Sequence, residues 1–141
     1  MVTTSLKSGQ LEPRGARQGL KIITQIDHSI EDISADYNRL KQVLINLLDN
    51  ALKFTPSVGL ITVHLLKDQK EAVITINDTG VGISESDLKH VRDKFYKGKS
   101  QASGSGLGLA IVDEIIQAHH GRFSLTSKEN SGTTAEIRLS L

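Results

Sequence analysis

Between Asp36 and Phe54 the apolar residues Leu40, Val43, Leu44, Leu47, Leu48, Ala51 and Leu52 recur at intervals of one, three and four. That spacing predicts an amphipathic helix with one face turned to a core. Pro56 disfavours a helical residue before it, so the helix is expected to stop near Thr55. Elsewhere the apolar runs are shorter and β-branched. Residues 20–26 predict a first strand, and residues 60–66 and 72–77 an antiparallel hairpin turning through Lys67 to Glu71. Ser84 is placed to cap a short helix reaching about Val91. A further apolar helix is expected from about Gly106 to His120, with Gly121 as its left-handed C-terminal residue. Two strands, near 122–127 and 133–140, end the pattern. The order is not alternating βαβ. It predicts an α/β fold, a two-layer sandwich of a mixed, largely antiparallel sheet with about three helices on one face. There is no internal repeat. Residues 1–19 are polar, carry Gly9, Pro13, Gly15 and Gly19, and read as a linker or the remnant of a preceding segment. The folded domain is therefore expected over 20–141.

Composition acts mainly by exclusion. At 141 residues the chain is the size of one domain. Lys and Arg number 17 against 16 Asp and Glu, a formal charge of +1, which gives no electrostatic reason to expect nucleic acid or an anionic membrane as partner. The absence of Cys excludes disulfides and thiolate metal sites. No apolar run approaches the roughly 18 residues of a membrane span, and the first residues form no signal peptide, so a soluble, cytosolic chain is expected. Any phosphate binding must then come from local placement of charge and backbone amides.

Three segments carry chemistry beyond what a core requires. On the first helix Asn46, Asn50 and Lys53 fall within about 60° of one another at the edge of the apolar stripe. Asn50 offers a neutral oxygen suited to a Mg²⁺ already carried by phosphates, and Lys53 could offset phosphate charge. A solvated polar face accounts for the spacing equally well. Asp78-Thr79-Gly80-Val81-Gly82 follows directly on an apolar strand. A carboxylate there can accept a hydrogen bond from an exocyclic amine such as that of adenine, and glycines would let a flat base approach the backbone. A turn capped by Asp explains the same residues. So would the Asp-Thr-Gly of an aspartic protease, although that predicts an almost all-β chain and the two strong helices contradict it. Gly104-Ser105-Gly106-Leu107-Gly108 opens a helix, where unpaired N–H groups and a partial positive charge can cradle phosphate. Neither familiar phosphate motif is met, since Leu109 interrupts a G-x-G-x-x-G and Asp93 stands where a P-loop needs Gly. Lys94, Lys97 and Lys99 precede this loop and could close over a triphosphate. His28, His64, His90, His119 and His120 form no metal-ligand spacing, and the last two are expected to end a helix, where a cation suits the dipole.

Taken in this order, the segments resemble the ATP-binding domain of sensor histidine kinases, in the superfamily shared with DNA gyrase, a heat-shock chaperone and mismatch-repair ATPases. Residues 39–56 match the family's asparagine-rich helix, residues 78–83 its first glycine box, Asp93 to Lys97 its phenylalanine box, and Gly104 to Ile111 its second glycine box. Gly132-Thr133 resembles the final element near the adenine. The resemblance covers about residues 20–141 and implies a Bergerat-type ATP-binding fold with Mg-ATP as the bound species. It implies that Asn50 coordinates Mg²⁺, that Asn46 and Lys53 contact metal waters or phosphates, that Phe54 lines the pocket, and that Asp78 holds the adenine amine beside Gly80 and Gly82. Tyr96 and Lys97 would belong to the lid, with Lys97 near the phosphates, and Gly104, Gly106, Leu107 and Gly108 would fold it over the triphosphate. The implied reaction is γ-phosphoryl transfer to a histidine, with Asn46, Asn50, Lys53 and Lys97 as the catalytic set.

Two departures refine this. Hydrolysing relatives, and serine kinases of the anti-sigma-factor type, place Glu where this chain has Asn46; an amide cannot act as a general base, which favours a histidine acceptor. None of the five His residues lies in the His-Glu/Asp-x-x-x-Pro-like setting of a family acceptor. The chain is therefore expected to be a monomeric catalytic fragment of a homodimeric parent, whose own dimerisation domain supplies the acceptor and passes phosphate to a response regulator. The alternatives are a nucleotide-binding interaction module without catalysis and a serine kinase of the anti-sigma-factor type.

Overall fold

The structure is a computed structural model that describes residues 21–30, 33–55, 59–93 and 108–141. Five strands, β1 (Lys21–Ile26), β2 (Leu60–Asp68), β3 (Glu71–Asp78), β4 (Arg122–Lys128) and β5 (Gly132–Ser140), form one sheet in the order β1-β2-β3-β5-β4. β1 pairs parallel to β2, and every other pairing is antiparallel. The described helices are α1 (Tyr37–Phe54), α2 (Glu85–Leu88) and α3 (Gly108–Ala118).

Helix α1 begins where Asp36 accepts a 3.1 Å bond from the Arg39 N–H, satisfying one of the unpaired donors of its first turn. Its seven periodic apolar residues are all buried. Thr55 ends the helix with extended backbone while its hydroxyl donates to the Ala51 carbonyl at 2.6 Å. The helices cover one face of the sheet, where Ile61, Val63, Ile74, Ile76, Ile137 and Leu139 point into a core shared with α1 and α3. The strands obey period two on that face. On the opposite face Arg138 joins Asp68 at 2.9 Å and Glu136 at 3.2 Å, and Arg122 joins Glu71 at 2.9 Å. These pairs mark the solvated side of the sheet and add little stability.

The hairpin turn is tighter than its charged residues indicated, since the strands run to Asp68 and from Glu71, with Gln69 at φ 57° between them. Helix α2 stops at Leu88 rather than Val91 because the bonding switches to the tighter spacing of three, from the His90 N–H to the Asp87 carbonyl. Arg92 then lies 4.8 Å above the Phe123 ring, fastening this segment to β4.

The end of α3 corrects two expectations. His120, not Gly121, takes the left-handed conformation, at φ 58°. The His120 N–H reaches the Gln117 carbonyl and the Gly121 N–H the Ile116 carbonyl, both at 2.9 Å, a Schellman ending. Gly121 is needed for a different reason: a Cβ there would sit 2.6 Å from the Arg138 carbonyl and 2.7 Å from Leu139. His119 is not a cation beside the helix dipole. Its Nδ1 lies 2.8 Å from the Ile115 carbonyl and must donate, while its Nε2 accepts from the Asp36 N–H at 3.0 Å. That geometry assigns the neutral Nδ1–H tautomer and ties the end of α3 to the start of α1.

Candidate functional site

Asp78 is the last residue of β3 and faces the helices. It is 6% exposed, in a position where the strand pattern calls for an apolar residue. Its Oδ1 accepts the Gly80 N–H at 2.9 Å, and the Thr133 N–H also bonds its carboxylate. Burial pushes the carboxyl above its usual range; the two N–H bonds oppose that shift but do not cancel it. A buried carboxylate held at this cost is a candidate for ligand recognition.

Above Asp78 lies a cleft open to solvent. Leu47, Asn50, Ala51 and Phe54 of α1 form one wall; Ile76, Asp78, Thr133 and Ala135 form the floor; Ile83, Leu109 and Leu125 complete it. Four expected site residues, Asn50, Phe54, Asp78 and Thr133, thus meet in one cleft although they come from three elements. Its surface is mostly apolar, with an acceptor at the floor and a carboxamide on the helix wall. Such a cleft suits a flat heteroaromatic ring bearing an amino donor. The remaining lining residues were legible only as core positions. Leu47, Ala51 and Phe54 flank Asn50 on one helix face at i−3, i+1 and i+4, a spacing that could have identified the wall.

Other expected residues sit elsewhere. Asn46 does not line the cleft; its side-chain nitrogen donates to the Gly108 carbonyl at 3.3 Å, fixing the first residue of α3 against α1. Lys53 is exposed and does not line the cleft. Gly80 and Gly82 do not line the cleft, and close packing within the chain already requires glycine at both positions. A Cβ on Gly80 would overlap the Phe54 carbonyl, and one on Gly82, at φ 72°, the Lys128 carbonyl. The loop after β3 is in this way pressed between the end of α1, where the Val81 N–H bonds the Phe54 carbonyl at 3.0 Å, and the β4–β5 turn, where the Asn130 N–H bonds the Val81 carbonyl at 2.6 Å. Gly132, at φ 100°, has no room for a Cβ against the Asp78 carbonyl. Gly108 has open space around it. Tyr96, Lys97, Gly104, Gly106 and Leu107, with Lys94, Lys99 and the linker 1–19, lie outside the described residues. Among the described residues no cluster of three His, Asp or Glu could hold a metal, and no helix is long and apolar enough to cross a membrane.

Residues 35–141 match the family described as histidine kinase-, DNA gyrase B-, and HSP90-like ATPase. The chain belongs to this family. It is an ATP-binding domain of the histidine kinase type, and its α/β sandwich is the family's fold. Within the family it is 35% identical over 137 residues to sensor histidine kinase YclK of Bacillus subtilis, covering 93% of this chain and 28% of YclK. It is 38% identical over 128 residues to adaptive-response sensory kinase SasA of Synechococcus elongatus, covering 89% of this chain and 33% of SasA. Among solved structures, the nucleotide-free catalytic domain of histidine kinase ThkA superposes with a TM-score of 0.80 at 27% identity, covering 94% of this chain and 86% of that one. Full-length ShkA in complex with AMPPNP superposes with a TM-score of 0.81 at 26% identity, over 93% of this chain and 27% of ShkA. This ATPase-family domain therefore spans a third or less of the curated kinases just named. Its cleft lies between α1 and the β3–β5 floor, with the helix carrying Asn50 over the strand end carrying Asp78.

Proposed function

We propose that this domain binds Mg-ATP in the cleft and transfers the γ-phosphoryl group to a histidine on a separate dimerisation domain of its parent kinase. The observation that carries the reading is the convergence of buried Asp78, Thr133 and Asn50 on one apolar cleft. Asp78 accepts the exocyclic amine of adenine while the apolar walls, Phe54 among them, sandwich the ring. Asn50 faces outward from the same wall toward the phosphates. Its lone carboxamide oxygen fits a Mg²⁺ held chiefly by phosphate oxygens and water, since no acidic cluster is present among the described residues to hold a bare ion. When bound, that cation would neutralise charge on the β- and γ-phosphates.

Asn46 holds α3 against α1 through Gly108 and supplies no base. None is needed for an imidazole, whose nitrogen attacks phosphorus with its own lone pair. An N–P bond forms, the bond from γ-phosphorus to the β–γ bridging oxygen breaks, and ADP leaves. We assign phosphate contacts to exposed Lys53 and, on the family resemblance, to Lys97, Gly104, Gly106 and Gly108. The parent is a cytosolic or membrane-attached homodimer that passes phosphate on to a response regulator, and the isolated domain is a monomer.

The test is phosphate labelling. The chain alone with γ-labelled ATP should remain unlabelled, and adding the parent's dimerisation hairpin should place acid-labile label on that hairpin. A silent hairpin, with Mg-ATP binding intact, would refute phosphotransfer and leave a nucleotide-dependent interaction module.

A further inference from the structure

Helices α1 and α3 run antiparallel, and two side-chain hydrogen bonds join them, one at each end of α3. Asn46 of α1 donates to the Gly108 carbonyl at 3.3 Å, and the His119 Nε2 accepts the Asp36 N–H at 3.0 Å. The tethered positions lie ten residues apart on the α1 side and eleven on the α3 side, about 15–16 Å at the helical rise. Buried apolar side chains of both helices fill the space between, Val43, Leu44 and Leu47 of α1 and Val112, Ile115 and Ile116 of α3 among them. Apolar burial is non-directional and does not by itself fix how far one helix sits along the other. Hydrogen bonds, with their narrow distances and angles, do.

The bond at Asp36 has a distant source. Where an N-cap side chain bonds the N–H three residues on, Glu or Gln at that third position can accept the N-cap N–H in return. Here Asp36 bonds the Arg39 N–H, and an arginine side chain has no acceptor to return. His119 supplies one from the end of α3, while its Nδ1 donates to the Ile115 carbonyl of its own helix. The cap of α1 is thereby completed by another helix. At the opposite end of α3, Leu109 lines the cleft with Leu47, Asn50 and Ala51 of α1. A shift of α3 along α1 would move Leu109 and the Gly108 carbonyl against that wall. We infer that His119 is a positioning residue for the nucleotide site, fixing the register of α3 on α1 from the end remote from the cleft. The inference rests on nucleotide binding in this cleft.

Calorimetric Mg-ATP binding, urea unfolding and NMR of the nucleotide-free protein test it together. His119→Ala should lower stability and weaken Mg-ATP about threefold to tenfold, the range set by one neutral hydrogen bond that no longer favours the binding-competent arrangement. It should also move the Gly108 amide and Leu109 methyl signals. Should His119→Ala fold poorly, His119→Phe keeps a ring without its nitrogens and should show the same pattern. Adding Arg39→Gln gives the Asp36 N–H an acceptor within α1 but restores no link to α3. The double variant should therefore regain stability while its ATP affinity stays low and its Gly108 and Leu109 signals stay displaced. Recovery of affinity together with stability would make His119 a helix cap only and overturn the inference. So would unchanged affinity in His119→Ala, or unmoved signals, whatever Arg39→Gln does to stability. Wild-type protein that binds no Mg-ATP would instead remove the nucleotide reading, and the signals of the nucleotide-free form would still report the tether.

Discussion

Replacing Asp78 by Asn should separate binding from stability, because the buried carboxylate serves the two oppositely. The substitution is nearly isosteric, and the amide oxygen can keep the 2.9 Å bond from the Gly80 N–H. The second oxygen becomes an NH₂ group. It would confront both the Thr133 N–H, which now bonds the carboxylate, and the adenine amine with another donor. The bond lost to ligand is charge-assisted, about 1.5–3 kcal/mol, so Mg-ATP affinity should fall roughly tenfold to a hundredfold. Folding should respond differently. At 6% exposure the charge is desolvated enough to raise the carboxyl above its usual range even with two N–H donors. A folded-state value raised in this way favours folding fully below the ordinary carboxylate range, and that contribution is lost as pH rises through the raised value. At neutral pH the wild-type domain therefore carries a desolvated charge that Asn lacks. Calorimetry on both proteins, with thermal melts of the nucleotide-free forms, checks both sides. The variant should bind weakly yet melt no lower than wild type at neutral pH, and the wild type alone should lose ATP affinity on acidification through its raised value. Equal affinities would refute the adenine contact. A clearly lower melting temperature in the apo variant would show that the carboxylate is held for its hydrogen bonds to the loop rather than for ligand.

Further outcomes follow from individual contacts. Gly132→Ala meets both a left-handed backbone at φ 100° and the Asp78 carbonyl, so urea unfolding should show a loss of at least about 1–2 kcal/mol; a neutral result would mean that the β4–β5 turn relaxes freely. Asn50→Ala should weaken ATP binding in magnesium but leave binding in EDTA nearly unchanged, and equal losses in both would remove Asn50 from the metal. His119→Ala should cost about 1 kcal/mol in urea unfolding, since both ring nitrogens are hydrogen-bonded between α1 and α3; His119→Gln should recover part of that if the bridge is the cause. Leu40→Ala, at a position 1% exposed, should lose about 2–5 kcal/mol as cavity and transfer terms combine.

Much of this protein is local in origin. The seven periodic residues of α1 chose its buried face, Asp36 and Thr55 bounded it, and the alternation along β2, β3 and β5 chose which side chains face inward. Helical and strand periods follow from backbone geometry within a few residues, so they survive in the sequence. Asn50 and Asp78 were legible as well, being polar groups at positions where a core pattern calls for none or does not explain one. Alternation tells which face a residue occupies but not which strand lies beside it. Only the assembled sheet, with β5 inserted between β3 and β4, sets Thr133 against Asp78 and Ser127 against Thr133. Only packing shows that Gly80 and Gly82 give way to the Phe54 and Lys128 carbonyls, that Asn46 holds Gly108, and that His119 joins two helices as a neutral ring. Each of those facts depends on what a distant segment places beside the residue, and that is fixed by burial of the whole apolar surface rather than by any local window of sequence.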